Sequence, residues 1–261
     1  MEKYLSYQIP DKPENAYRPE AAARLLSAAQ TYLDNAEKLI YSYGSRTFLS
    51  GYDLYVPEYG GRGNIDCSTF VLLVLAGIPY ENSPYATGNT SGLNDRRAFW
   101  ADRELTDFSG LPERYIGIAE RIGRPYLAGP KGLDLEKAAA MGISAEILGQ
   151  EIRATGVGRR SVQIALHYLE RQACFADYGQ ARPGDIAFFK NAGFFMEGAK
   201  KFRADAEITH VGILSSDTAF MIHSAGYVTK KRAQEEGLPA VSLAHVYGKR
   251  TPAFFARPAF V

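Results

Sequence analysis

The stretch from Phe70 to Ala76 is apolar at every position. Such a segment has no polar face to offer water, so the rest of the chain must enclose it on all sides. Asp66 ahead of it is an N-cap residue type and Gly77 behind it a helix terminator, which together predict a short buried helix. A buried strand is the alternative reading, since Val71, Leu72, Leu73 and Val74 suit either geometry. Enclosing this element takes a sizeable core, and 261 residues supply one, as a single domain carrying an insertion. Hydrophobic residues at 46% and charged residues at 23% exclude a disordered or collagen-like chain. Thirty Lys and Arg against 29 Asp and Glu leave too little positive charge to drive nucleic-acid binding. No apolar run is long enough to span a bilayer, and Met1 to Pro10 shows no secretory signal. The expected location is therefore the cytoplasm, or the exterior by a non-classical export route.

Helical signals come first along the chain. Pro19 opens a helix whose apolar positions, from Ala22 through Leu33 and Leu39 to Tyr43, recur at helical spacing before Gly44. After the Asn-, Ser- and Gly-rich loop that begins at Asn82, short helical patterns follow, among them Asp134 to Met141 and Ser144 to Ala154. Ser161 is expected to cap a better helix carrying Val162, Ala165, Leu166 and Leu169. Strand signals take over at the turn Arg182-Pro183-Gly184-Asp185: Ile186–Phe189, Ile208–Leu214, Ala219–Ser224 and Ala253–Arg257. Helices followed by strands predict an α+β fold with an antiparallel sheet.

The chemistry lies in a spacing. A hairpin symmetric about the bond between Ser216 and Asp217 sets His210 directly opposite His223. Directly paired residues share a face of the sheet with Cβ atoms roughly 4.5–5.5 Å apart, so one imidazole can orient the other. A one-residue slip would destroy the pairing. A base held by an orienting partner is half of a nucleophilic site. Cys67, at the mouth of the predicted buried helix, supplies the other half. Unpaired N–H groups and the positive end of the helix dipole are expected there to lower the thiol pKa. The N–H groups of Cys67 and Ser68 are candidate donors to an oxyanion.

Four blocks now stand in order: Asn64-Ile65-Asp66-Cys67-Ser68-Thr69-Phe70, Arg182-Pro183-Gly184-Asp185-Ile186-Ala187-Phe188-Phe189, Thr209-His210-Val211-Gly212-Ile213 and Met221-Ile222-His223-Ser224. This set resembles the signature blocks of the NlpC-type cell-wall peptidases. The resemblance implies a papain-like α+β fold, with N-terminal helices packed on an antiparallel sheet. It also implies a cysteine peptidase that hydrolyses peptidoglycan stem peptides between D-Glu and a diamino acid. By resemblance Cys67 is the nucleophile, His210 the base and His223 the orienter. Asp66 caps the helix and, as the resemblance suggests, meets a substrate amine. The family's Tyr-x-x-Gly-Gly element is similar to the region ending in Gly60-Gly61, except that Pro57 stands at the tyrosine position; Tyr59 or Tyr55 would supply the phenol. Thr69 stands where the family commonly has Gly. Cys67 and His210 lie much further apart in sequence than the family's usual several dozen residues. The domain is thus expected to have core segments 18–82 and 160–261 and a mostly helical insertion at 83–160.

No metal or organic cofactor is implied. Zinc held by Cys67, His210 and His223 is the metal alternative, unsupported by any close-spaced ligand pair. The partner expected is a peptidoglycan fragment or other peptide. A thiol acyltransferase or amidase on the same scaffold, or a cell-wall-binding module without turnover, are the competing functions. The remaining candidates are expected to be bland: His167 solvated, His245 in a loop, Cys174 structural.

Overall fold

The computed structural model describes residues 5–41, 63–88, 118–129, 132–145, 147–148, 151, 160–190, 208–226, 236–248 and 251–260. It shows an α+β architecture centred on one six-stranded antiparallel sheet. In chain order, helix α1 spans Pro19–Asp34, and strands β1 (Leu39–Tyr41) and β2 (Gly63–Ile65) pair in parallel as a small separate sheet. Helix α2 covers Cys67–Leu75 and α3 covers Pro84–Thr87. Among the described residues of 83–160 there follow α4 (Ile118–Arg121), a two-stranded ribbon of β3 (Ala128–Gly129) and β4 (Gly132–Leu133), and α5 (Leu135–Ala140). Helix α6 (Arg160–Glu170) leads to β5 (Cys174–Phe175), β6 (Ile186–Lys190), β7 (Ile208–Leu214), β8 (Phe220–Ser224), β9 (Val241–His245) and β10 (Pro252–Ala256). The six strands lie in the order β5-β10-β6-β7-β8-β9.

Helix α2 is the hub. All nine of its residues are buried, with α1 and α6 on its flanks and β7 and β8 beneath it. Its ends are closed as the residue types require. The Asp66 carboxylate accepts the Thr69 N–H at 2.7 Å. Gly77, at φ +74°, allows Ile78 N–H to reach Leu73 O at 3.0 Å and its own N–H to reach Val74 O at 2.9 Å. Tyr32 of α1 stands edge-on to Phe70, with centroids 5.8 Å apart, and its hydroxyl donates to Ile78 O at 3.0 Å.

Both faces of the sheet are covered, which explains why β6 is buried over four consecutive residues rather than alternating with solvent. Ile186, Phe188, Val211, Ile213 and Ile222 join the core that includes the three long helices. Ala187, Phe189, Leu214, Met221 and Phe255 form a second core on the opposite face, backed by Ile9 of the N-terminal arm. A bulge at Phe189/Lys190 puts Ile208 and Val211 on the same face although they are three residues apart. The arm also seals the β5 edge: Ser6 bridges Phe175, and Ala176 and Asp177 donate to Ser6 O and Tyr7 O. A third small core of Leu127, Ala138 and Leu148 belongs to the 83–160 region.

Four local expectations need correcting. The first helix stops at Asp34 instead of running to Tyr43. Asn35 Nδ2 caps Thr31 O at 2.8 Å, and Leu39 and Ile40, both fully buried, continue into β1. Apolar spacing fits either continuation, and pairing with β2 decides it. Ser161 lies within α6 rather than capping it, and its hydroxyl donates to Ile208 O at 2.9 Å, tying the helix to β7. His167 is buried rather than solvated: its ring meets Tyr168 edge-on at 5.2 Å, with Arg171 Nη1 3.4 Å from Nε2. His245 lies on β9, where it stacks on Phe220 at 4.2 Å.

Candidate active site

The β7–β8 hairpin brings the two histidines together, but by a different register from the symmetric one. Ile213 pairs with Ile222 and Leu214 with Met221, so the ribbon is shifted by two residues from the expected alignment. An even shift keeps every side chain on its face. Extended along the ribbon, this register sets His223 opposite Gly212, which makes His210 and His223 diagonal neighbours. Diagonal Cβ atoms lie roughly 7–8 Å apart, within reach of long or aromatic side chains. The imidazoles close the gap: His210 Nε2 and His223 Nδ1 are 2.7 Å apart, with rings crossing at 78°. Both residues are 5% exposed. His210 meets His223 through its Nε2 nitrogen.

Cys67 reaches the same strand from the other side. Its sulfur receives the backbone N–H of Val211, the residue after His210. The ladder explains how that donor comes to be available. Ser215 N–H bonds Phe220 O, so by alternation Ile213–Ile222 is a hydrogen-bonded pair and Val211 would bond Ser224 next. The β7–β8 ladder ends before that pair. The strands part, and the thiol takes the N–H that an unbroken ladder would have delivered to Ser224. The histidines leave the face of Met221 and Leu214, while α2 and its thiol approach from the face of Val211.

The electrostatics differ from the expectation for a helix mouth. Burial, reinforced by the Asp66 charge, pushes the Cys67 thiol up to about 12, against the pull of N–H groups from Val211, Ser68 and Cys67 itself. Burial therefore favours the protonated sulfur over the thiolate. Asp66 uses Oδ1 for both the Thr69 N–H and the Ser68 hydroxyl, the latter at 2.8 Å, so the cap leaves Oδ2 uncommitted. The Ser68 hydroxyl is thus turned into the cap, and only its N–H serves the helix mouth. Thr69 is fully buried. Thr209 Oγ1 and Ser224 Oγ, flanking the histidines in sequence, are buried without a hydrogen-bond partner among the described residues. Unsatisfied buried groups of this kind call for an explanation, a catalytic role being one.

Tyr59, Tyr55 and the Gly60-Gly61 pair lie outside the described residues. Tyr41 pairs with Ile65 just ahead of Asp66, and its ring packs on Gly226 just beyond β8. It links the approach to the nucleophile helix with the end of the histidine strand. Cys174 is a buried core residue of β5. Among the described residues no group of three or more His, Cys, Asp or Glu is arranged to hold a metal ion, and no helix is long and apolar enough to cross a membrane. No protein-family model matches the chain, and no curated protein or solved structure matches it.

Proposed function

We propose that this protein is a cysteine peptidase or amidase on a papain-like, NlpC-type fold, acting on peptidoglycan stem peptides between D-Glu and a diamino acid. The observation that carries the reading is the 2.7 Å His210–His223 hydrogen bond on a strand whose next N–H engages the Cys67 sulfur. In this scheme substrate binding triggers transfer of the Cys67 proton to the His210 imidazole, whose hydrogen bond to His223 holds the imidazolium. The thiolate attacks the amide carbon. The oxyanion forms at the mouth of α2, among backbone N–H groups. His210 returns the proton to the leaving amine, and water then hydrolyses the thioester. Asp66 Oδ2 is the natural counter-charge for a substrate ammonium group, and Tyr41 the wall nearest both arms of the site. No cofactor enters the scheme.

The thiol's high pKa favours a second reading, a groove that binds wall peptides without turning them over. A muropeptide panel analysed by mass spectrometry separates the two. The peptidase reading expects cleavage by the wild type, with a loss of roughly 10⁴-fold or more in Cys67→Ala. Equal peptide affinity with no cleavage by either protein would support the binding module.

A further inference from the structure

We infer that Gly212 is a positioning residue, the vacancy into which His223 fits so that its ring can lie across to His210. The inference rests on the peptidase reading for its kinetic consequence, but its geometric content stands apart from that reading. Gly212 is central in β7, where glycine costs backbone entropy and contributes no packing. Its φ lies outside the left-handed range, so no backbone requirement calls for glycine there. What requires it is space. A Cβ on residue 212 would stand 2.9 Å from Met221 Sδ, 3.1 Å from His223 Cβ and 3.3 Å from Ile222 O.

These three contacts are not equivalent. The Met221 thioether is the far end of a flexible side chain and can swing away. The His223 Cβ and Ile222 carbonyl move only with strand β8, which Phe220 to Ser224 tie to β9 along its whole length. A methyl group at 212 therefore displaces His223, or the strand that carries it. The His210–His223 hydrogen bond is diagonal and only 2.7 Å long, so a shift of a few tenths of an ångström lengthens or misaligns it. Just beyond β8 the register sets the small Ala225 opposite His210, while on the β6 side His210 pairs with Phe189, ring centroids 5.8 Å apart.

The test compares wild type, Gly212→Ala, Met221→Ala and the double variant. Two readouts are used: the imidazole ¹⁵N and hindered N–H proton signals of the histidine pair by NMR, and peptide cleavage as separate kcat and KM. Gly212→Ala is expected to lose the hindered His–His proton signal and, where cleavage is measured, to lower kcat by about 100-fold with KM little changed. Its pH profile should shift as His210 loses its orienting partner. Met221→Ala alone should keep the signal. The double variant relieves the flexible contact and safeguards folding, yet should still lack the signal because the His223 Cβ contact persists. An intact His–His signal in the double variant would overturn the inference. If the wild type cleaves none of the peptides, the peptidase reading fails while the NMR comparison still decides the role of Gly212.

Discussion

The two ends of the β7–β8 ribbon are built to opposite specifications. At the turn end, ladder pairs Ile213–Ile222 and Leu214–Met221 are closed, and Leu214 is bonded a second time across β6's approach: Gly184 N–H to Leu214 O at 2.9 Å and Leu214 N–H to Asp185 O at 2.8 Å. Asp185 is in turn clamped by Arg257 through two bonds of 3.0 and 2.9 Å, both residues being buried. Burial pushes the Asp185 carboxyl up, and Arg257 with the Arg182 N–H pulls it back. At the histidine end the ladder is abandoned, a backbone N–H goes to a thiol, and two hydroxyls have no hydrogen-bond partner among the described residues. The lesson is that one end holds the strands so that the other can part without unravelling.

A crossed pair of substitutions tests that division. Arg257→Met leaves the Asp185 carboxylate buried and unpaired, which is expected to cost about 3–5 kcal/mol of stability while the pH profile of the folded fraction stays unchanged. Chemical denaturation measures the first quantity and steady-state assays the second. If the pH profile moved with stability, the two ends would not be separable. His223→Ala should do the reverse, lowering kcat roughly 100-fold with a midpoint of thermal unfolding close to wild type. A thermal collapse in that variant would make the histidine pair part of the structural anchor.

A further test concerns pH and the thiol. A folded-state pKa raised from 9.0 to about 12 means that the folded protein holds the Cys67 proton more tightly than the unfolded chain does. The stability this provides is complete below pH 9 and is lost as pH rises toward 12. Stability of Cys67→Ala should therefore fall less steeply over that window than wild type, and parallel curves would place the thiol in a more solvated setting. Iodoacetamide adds a kinetic arm. Labelling of Cys67 at neutral pH should require His210, falling in His210→Ala, whereas buried Cys174, whose pKa is raised by burial, stays inert in both.

Local chemistry was readable wherever neighbouring residues decide it. The N-cap Asp66, the terminating Gly77 and the apolar run between them specify α2, and strands β6, β7, β8 and β10 fall within one residue of the positions their patterns indicate. The short strands β1, β2 and β5 and the edge strand β9 carried no pattern strong enough to stand out. Ser161 could not be read as a tie to Ile208, nor His167 as buried, because both depend on what packs against α6. The Asp185–Arg257 pair joins residues 72 positions apart and left no mark in either local sequence.

What the residues determined by themselves was the set of participants: a capped helix with a thiol at its mouth and two histidines on adjoining strands with the same facing. Period-two alternation and capping chemistry act over a few residues, so they survive without knowledge of the fold. Tertiary structure decided how the participants are used. It shifted the hairpin by two residues, converted a direct histidine pair into a diagonal one, and opened the ladder to admit the sulfur. Burial then raised the thiol pKa that a helix mouth alone would have lowered, because desolvation depends on everything packed around the site and outweighs the few N–H groups aimed at it.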